Sequence, residues 1–94
     1  MKKTLLVSAL FVLVMSAAFG QTTADEWEKK ADEYFESGDY TKAITAYSET
    51  IKRNSSNLNA YWFRGAAYYQ TKNYDAAIAD CTTVIKGAPD FPNG

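Results

Sequence analysis

A thirty-four-residue echo constrains this chain more than any other feature. Trp27, Ala31, Tyr34, Tyr40, Ala43, Ile44, Ile51 and Lys52 recur in order as Tyr61, Gly65, Tyr68, Tyr74, Ala77, Ile78, Ile85 and Lys86. Self-similarity at this period marks a helical repeat, in which each unit is one small supersecondary element that buries its apolar face only against its neighbours. The expectation is an all-α chain, an α-solenoid of two antiparallel helix pairs. Such a wall offers a binding surface before any chemistry is considered.

Local signals divide each repeat into two helices. In Thr23-Ala24-Asp25-Glu26 the Thr hydroxyl can cap a helix while Glu26 reaches back to the Thr amide, so the first helix is expected to begin at about Ala24. Trp27, Ala31 and Tyr34 then form its buried stripe at spacings of four and three. Ser37-Gly38-Asp39 turns the chain, and Asp39 is placed to cap a second helix with Tyr40, Ala43, Ile44, Tyr47 and Ile51 inward. After the polar loop Asn54-Ser55-Ser56-Asn57 the cycle repeats. Asn57 caps a helix carrying Tyr61, Gly65 and Tyr68, Lys72-Asn73 turns, and Tyr74, Ala77, Ile78, Cys81 and Ile85 line a fourth helix that Gly87 and Pro89 stop. The small residues Ala31 or Gly65 and Ala43 or Ala77 let the helices of each pair approach closely.

The segment before these repeats has a different character. Lys2 and Lys3 precede the apolar run Leu5 to Phe19, and Ala18-Phe19-Gly20 places small residues three and one before a cut. This reads as a secretory signal-peptide helix over residues 1–20, with cleavage after Gly20 and a mature chain starting at Gln21. The run is shorter than the ~18 to 20 apolar residues that span a bilayer core, which argues against an uncleaved anchor. No cysteine near the cut could accept a lipid. The expected product is periplasmic or secreted, with no membrane attachment after cleavage.

Over residues 24–91 the sequence resembles the tetratricopeptide repeat family. Trp27, Ala31, Tyr34, Gly38, Tyr40, Ala43 and Tyr47 match or conservatively replace its pattern in a first copy (24–57), and Tyr61, Gly65, Tyr68, Tyr74, Ala77 and Pro89 do so in a second (58–91). Together they would make residues 21–94 one repeat domain. The departures are Lys30 and Arg64 where leucine is usual, Thr50 and Val84 for alanine, Ser55 for proline, Lys72 for the turn glycine and Cys81 for an aromatic residue. Arrays normally need about three copies. Two copies suggest a fragment of a longer array, or a core completed against another chain. The end-face around Tyr74, Ile78 and Ile85 is then a candidate for self-association or for further repeats.

The resemblance also implies where a partner would lie. Family members line a concave groove with the first helix of each pair, which maps here to Asp25, Glu28, Asp32, Phe35 and Glu36, and then to Asn59, Trp62, Ala66, Tyr69 and Gln70. Asp25, Glu28, Asp32 and Glu36 follow at intervals of three or four, so one helical stripe is wholly acidic, while Glu26 with Lys30 and Lys29 with Glu33 are placed to pair on its flanks. Such a stripe suits a basic or amine-bearing peptide, with Phe35, Trp62 and Tyr69 adding apolar or cation–π contacts. An ordinary solvated charged face is the alternative. Trp62, one residue from the inward Tyr61, either packs on a neighbouring repeat or lines the groove. Some family members hold a partner's C-terminal carboxylate through Lys and Asn, but Glu28 and Asp32 stand at those positions, so that activity is not expected.

Several chemistries are excluded by composition. The chain has no histidine and only one cysteine, so a histidine base, a histidine-containing zinc site, a thiolate cluster and an internal disulfide are all out of reach. No glycine-rich phosphate loop or nucleophile elbow occurs. Cys81, on the inward stripe, is expected to be a buried small hydrophobe. Losing Lys2 and Lys3 with the leader removes two of ten basic residues against eleven acidic ones, which speaks against nucleic acid. The expectation is a non-enzymatic, cofactor-free and metal-free scaffold for a protein or peptide partner. A carrier of an amine-bearing small molecule and a structural oligomerisation module are the open alternatives.

Overall fold

The computed structural model describes residues 22–89; the leader read over residues 1–20 lies outside them. Four helices follow in order: α1 (Ala24–Glu36), α2 (Tyr40–Arg53), α3 (Leu58–Gln70) and α4 (Tyr74–Gly87). No strand occurs among the described residues. The chain is an all-α repeat solenoid in which α1 packs on α2, α3 packs on α4, and α3 lies across α2 with a lighter contact to α1.

The helix starts follow from their caps. Thr23 and Glu26 form the reciprocal capping box. The Lys42 amide donates to Asp39 Oδ1 at 3.3 Å and the Ala60 amide to Asn57 Oδ1 at 3.0 Å. Asn73 differs from the other three, because its side-chain amide donates to Thr71 Oγ1 and makes no cap bond. The turn within each hairpin needs one left-handed residue. Gly38 supplies it at φ 82°, whereas Lys72 takes φ 67° without glycine's freedom.

Small side chains set the packing distance. Ala31 and Ala43 are fully buried in the first hairpin, and Gly65 and Ala77 are buried in the second. A Cβ on Gly65 would meet Asp80 Cβ at 3.2 Å and Ala77 O at 3.5 Å, so α3 and α4 touch nearly backbone to backbone. Glycine at 87 has a related reason: a side chain there would meet the Leu58 methyl groups at 3.0–3.2 Å. Across the repeats, Ala60 and Ala67 of α3 join Ala31, Ala43, Ala46 and Tyr47 in one core, flanked by Trp27, Tyr34, Phe35, Tyr40, Ile44 and Ile51.

Several inward assignments change. On α4 the buried residues are Ala77, Asp80 and Val84, while Tyr74, Ile78 and Ile85 expose 52%, 64% and 61% of their surface. They occupy the positions that α3 covers in the first hairpin, and no described helix covers them here. Cys81 is only half-buried on that side. On α3 the fully buried residues are Ala60, Gly65 and Ala67, with Tyr61 and Tyr68 half-buried.

Candidate functional site

The acidic stripe lies along α1. Asp25, Asp32 and Glu36 are exposed, and Glu28 is half-buried. Asp32 is tied down, because the fully buried Tyr47 reaches up from α2 and its hydroxyl donates to Asp32 Oδ1. Burial, and behind it the bond to Asp32, push the Tyr47 hydroxyl well above the ordinary tyrosine range, so it stays protonated and remains a donor. The flanking charges do not pair as expected. Glu26 is taken up by the Thr23 cap, and the Lys30 ammonium sits 5.2 Å from the Trp27 ring centre, with Arg53 at 5.5 Å.

Aromatic rings lie beside this stripe. Phe35 meets Tyr40 edge-on at 5.4 Å and Phe63 edge-on at 5.5 Å, and Phe63 stacks on Tyr47 at 6.1 Å. Phe63 keeps 36% of its surface exposed and lies one ring away from the bound Asp32 carboxylate. Sequence reasoning did not find Phe63. Its signal was its place two residues after Tyr61, which moves it off the Tyr61 stripe and onto the side that meets α2.

The remaining expected groove residues divide between two surfaces. Asn59 is exposed near the start of α3. Trp62, Ala66, Tyr69 and Gln70 instead form one wall of an apolar groove of about 650 Å³, whose other wall is α4. Tyr69 is 61% exposed and meets Tyr74 edge-on at 5.6 Å across it. Trp62 thus lines a groove, though not the one that carries the acidic stripe. No residue lining this apolar groove is charged.

A buried ion pair joins the helices behind both surfaces. Arg64 donates from Nε and Nη2 to the two carboxylate oxygens of Asp80, each at 2.8 Å, and from Nη1 to Ser48 Oγ at 3.1 Å. Its guanidinium lies between the rings of Tyr61 and Tyr68, at 5.5 and 5.7 Å. One side chain thereby links α2, α3 and α4. This explains arginine at a position where leucine is usual.

Among the described residues, no group of three or more His, Cys, Asp or Glu side chains could hold a metal ion, and no helix is long and apolar enough to cross a membrane. One carboxylate of the stripe, Asp32, is oriented by a buried hydroxyl, and a partly exposed ring adjoins that hydroxyl.

Repeat period, capped helix pairs and small-residue crossings define a helical-repeat interaction module. The chain belongs to the tetratricopeptide repeat family, whose sequence model matches residues 28–92. It is 40% identical over 63 residues to human serine/threonine-protein phosphatase 5, covering 67% of this chain and 13% of that protein. It is 35% identical over 71 residues to stress-induced-phosphoprotein 1 of Caenorhabditis elegans, covering 76% and 22%, and 35% identical over 76 residues to Hsp70-Hsp90 organizing protein 3 of Arabidopsis thaliana, covering 81% and 14%. Among solved structures it is similar to the TPR2B domain in the pHsp70 complex of yeast Sti1, with a TM-score of 0.69 and 37% identity over 72% of this chain and 54% of that one. The chain spans less than a quarter of the length of these full-length relatives. The family's repeats are non-catalytic interaction modules, and the match to the phosphatase covers only a small part of that enzyme.

Proposed function

We propose that this chain is a protein-interaction scaffold whose α1 face takes a basic segment of a partner, and that it does so after export to a periplasm. The observation that carries the reading is the Asp32–Tyr47 bond beside the open ring of Phe63. A buried donor orients one carboxylate of an acidic stripe, Glu28 stands one turn away, and an aromatic face adjoins them. A lysine or arginine side chain can satisfy both kinds of group together. The solved relative is held in a complex with pHsp70, but Glu28 and Asp32 replace the Lys and Asn of the carboxylate-binding members, so the charge preference here is reversed.

The test is a titration of a lysine-rich peptide and of its glutamate-substituted counterpart against the mature chain at two ionic strengths. The basic peptide binds and weakens with salt, and Glu28→Gln with Asp32→Asn lowers its affinity about tenfold. Equal affinity for both peptides, or no dependence on salt, would remove the electrostatic reading. Export rests on Lys2, Lys3 and the run Leu5 to Phe19. Intact mass of the protein recovered from a bacterial periplasm should correspond to a chain starting at Gln21; recovery of the full-length chain from the cytoplasm would refute it.

A further inference from the structure

Phe63 and Arg64 are neighbours on α3, and both reach back to α2. Phe63 stacks on Tyr47 at 6.1 Å and Arg64 Nη1 donates to Ser48 Oγ at 3.1 Å, so two adjacent residues of α3 meet two adjacent residues of α2. The apolar part of this junction is not directional. Ala60 and Ala67 seat α3 on the core with methyl groups alone, which fix its distance from α2 more firmly than its register. The guanidinium is directional. Its Nε and Nη2 are committed to Asp80 of α4, each at 2.8 Å, and the rings of Tyr61 and Tyr68 flank it, which leaves Nη1 for α2.

A hairpin closes without this pair. In the first hairpin Lys30 and Ala46 stand at the positions equivalent to Arg64 and Asp80. Lys30 lies over Trp27, and Ala46 is 1% exposed in the core, so α1 packs on α2 with no ion pair there. What the second hairpin gains is the bond from Nη1 across the junction to the first. Buried ion pairs contribute little net stability relative to an apolar pair of the same size, and their best-attested use is to fix register.

We propose that Arg64, held by Asp80, is a positioning residue for the α1 face: through Ser48 it sets the register of α3 on α2 and so keeps Phe63 stacked on Tyr47, whose hydroxyl orients Asp32. Arg64 acts through Phe63 and need not touch the partner. The consequence for recognition rests on the reading of α1 as the face that takes a basic segment.

The test compares the chain with two variants, Arg64→Leu with Asp80→Leu, and Ser48→Ala, which leaves the ion pair in place and removes only its bond to α2. In both, nuclear Overhauser contacts between the Phe63 and Tyr47 rings weaken while circular dichroism matches the parent. Affinity for the lysine-rich peptide falls about two- to fivefold, the loss of one exposed cation–π contact. Ser48→Thr keeps the hydroxyl and is the residue that the repeat places at the equivalent position, Thr82, so it preserves both the ring contacts and the affinity. Should the double-leucine variant misfold, Ser48→Ala decides. Ring contacts unchanged in the variants, or displaced rings with parental affinity, would overturn the proposal. A parent that does not bind the peptide would instead refute the reading of the α1 face, and the ring contacts alone then judge the register.

Discussion

At the scale of single residues, the Arg64–Asp80 pair is a bidentate ion pair with little exposure to solvent. Asp80 is 4% exposed, so it cannot be solvated if its partner is lost. Asp80→Ala would leave the guanidinium half-buried without its carboxylate and should destabilise by about 3 kcal/mol in chemical denaturation. Replacing both partners by leucine should restore most of that loss, since an apolar pair of similar volume removes the desolvation cost. A double variant as unstable as the single one would show that packing, and not the unpaired charge, sets the penalty. Ala77 tests a different constraint. Its crossing with Gly65 is already close, so Ala77→Leu should overpack it and lower stability by roughly 1–3 kcal/mol. A thermal melt equal to the parent's would mean that the crossing has slack.

At the scale of elements, the two hairpins are near copies, and their differences show what each turn and cap contributes. Lys72 holds a left-handed conformation where the first hairpin has Gly38. Lys72→Gly should therefore stabilise by about 0.5–1 kcal/mol, the relief of the side-chain clash less glycine's added chain entropy; a loss of stability on denaturation would contradict this. Helix starts were legible in the residues, because Thr23, Asp39 and Asn57 have side-chain oxygens that reach the first free amides. The buried side of α4 was less legible. Its apolar pattern matches that of α2, and the pattern records the face a neighbour would cover, whether or not a described helix covers it. Arg64 and Asp80 were also hidden from sequence reasoning, since they sit on different helices sixteen residues apart and periodicity carries no information on which charges meet. Of the candidate site, the acidic stripe on α1 was legible as a row of carboxylates at helical spacing. The Tyr47 bond that orients Asp32, and the open ring of Phe63, needed the relative placement of three helices.

At the scale of the whole molecule, two faces of one short solenoid differ in chemistry. The α1 face is acidic with aromatic rings beside it, and the α3–α4 groove is apolar with no charged lining. The first face is the one proposed to take a basic segment. The central claim is that recognition of a basic partner happens on α1. The measurement that tests it most directly is a backbone-amide NMR titration of the mature chain with a lysine-rich peptide. Shifts concentrated at Glu28, Asp32, Phe35 and Phe63, with Tyr74, Ile78 and Ile85 unmoved, are the predicted result; shifts confined to the α4 residues, or none at saturating peptide, would contradict it.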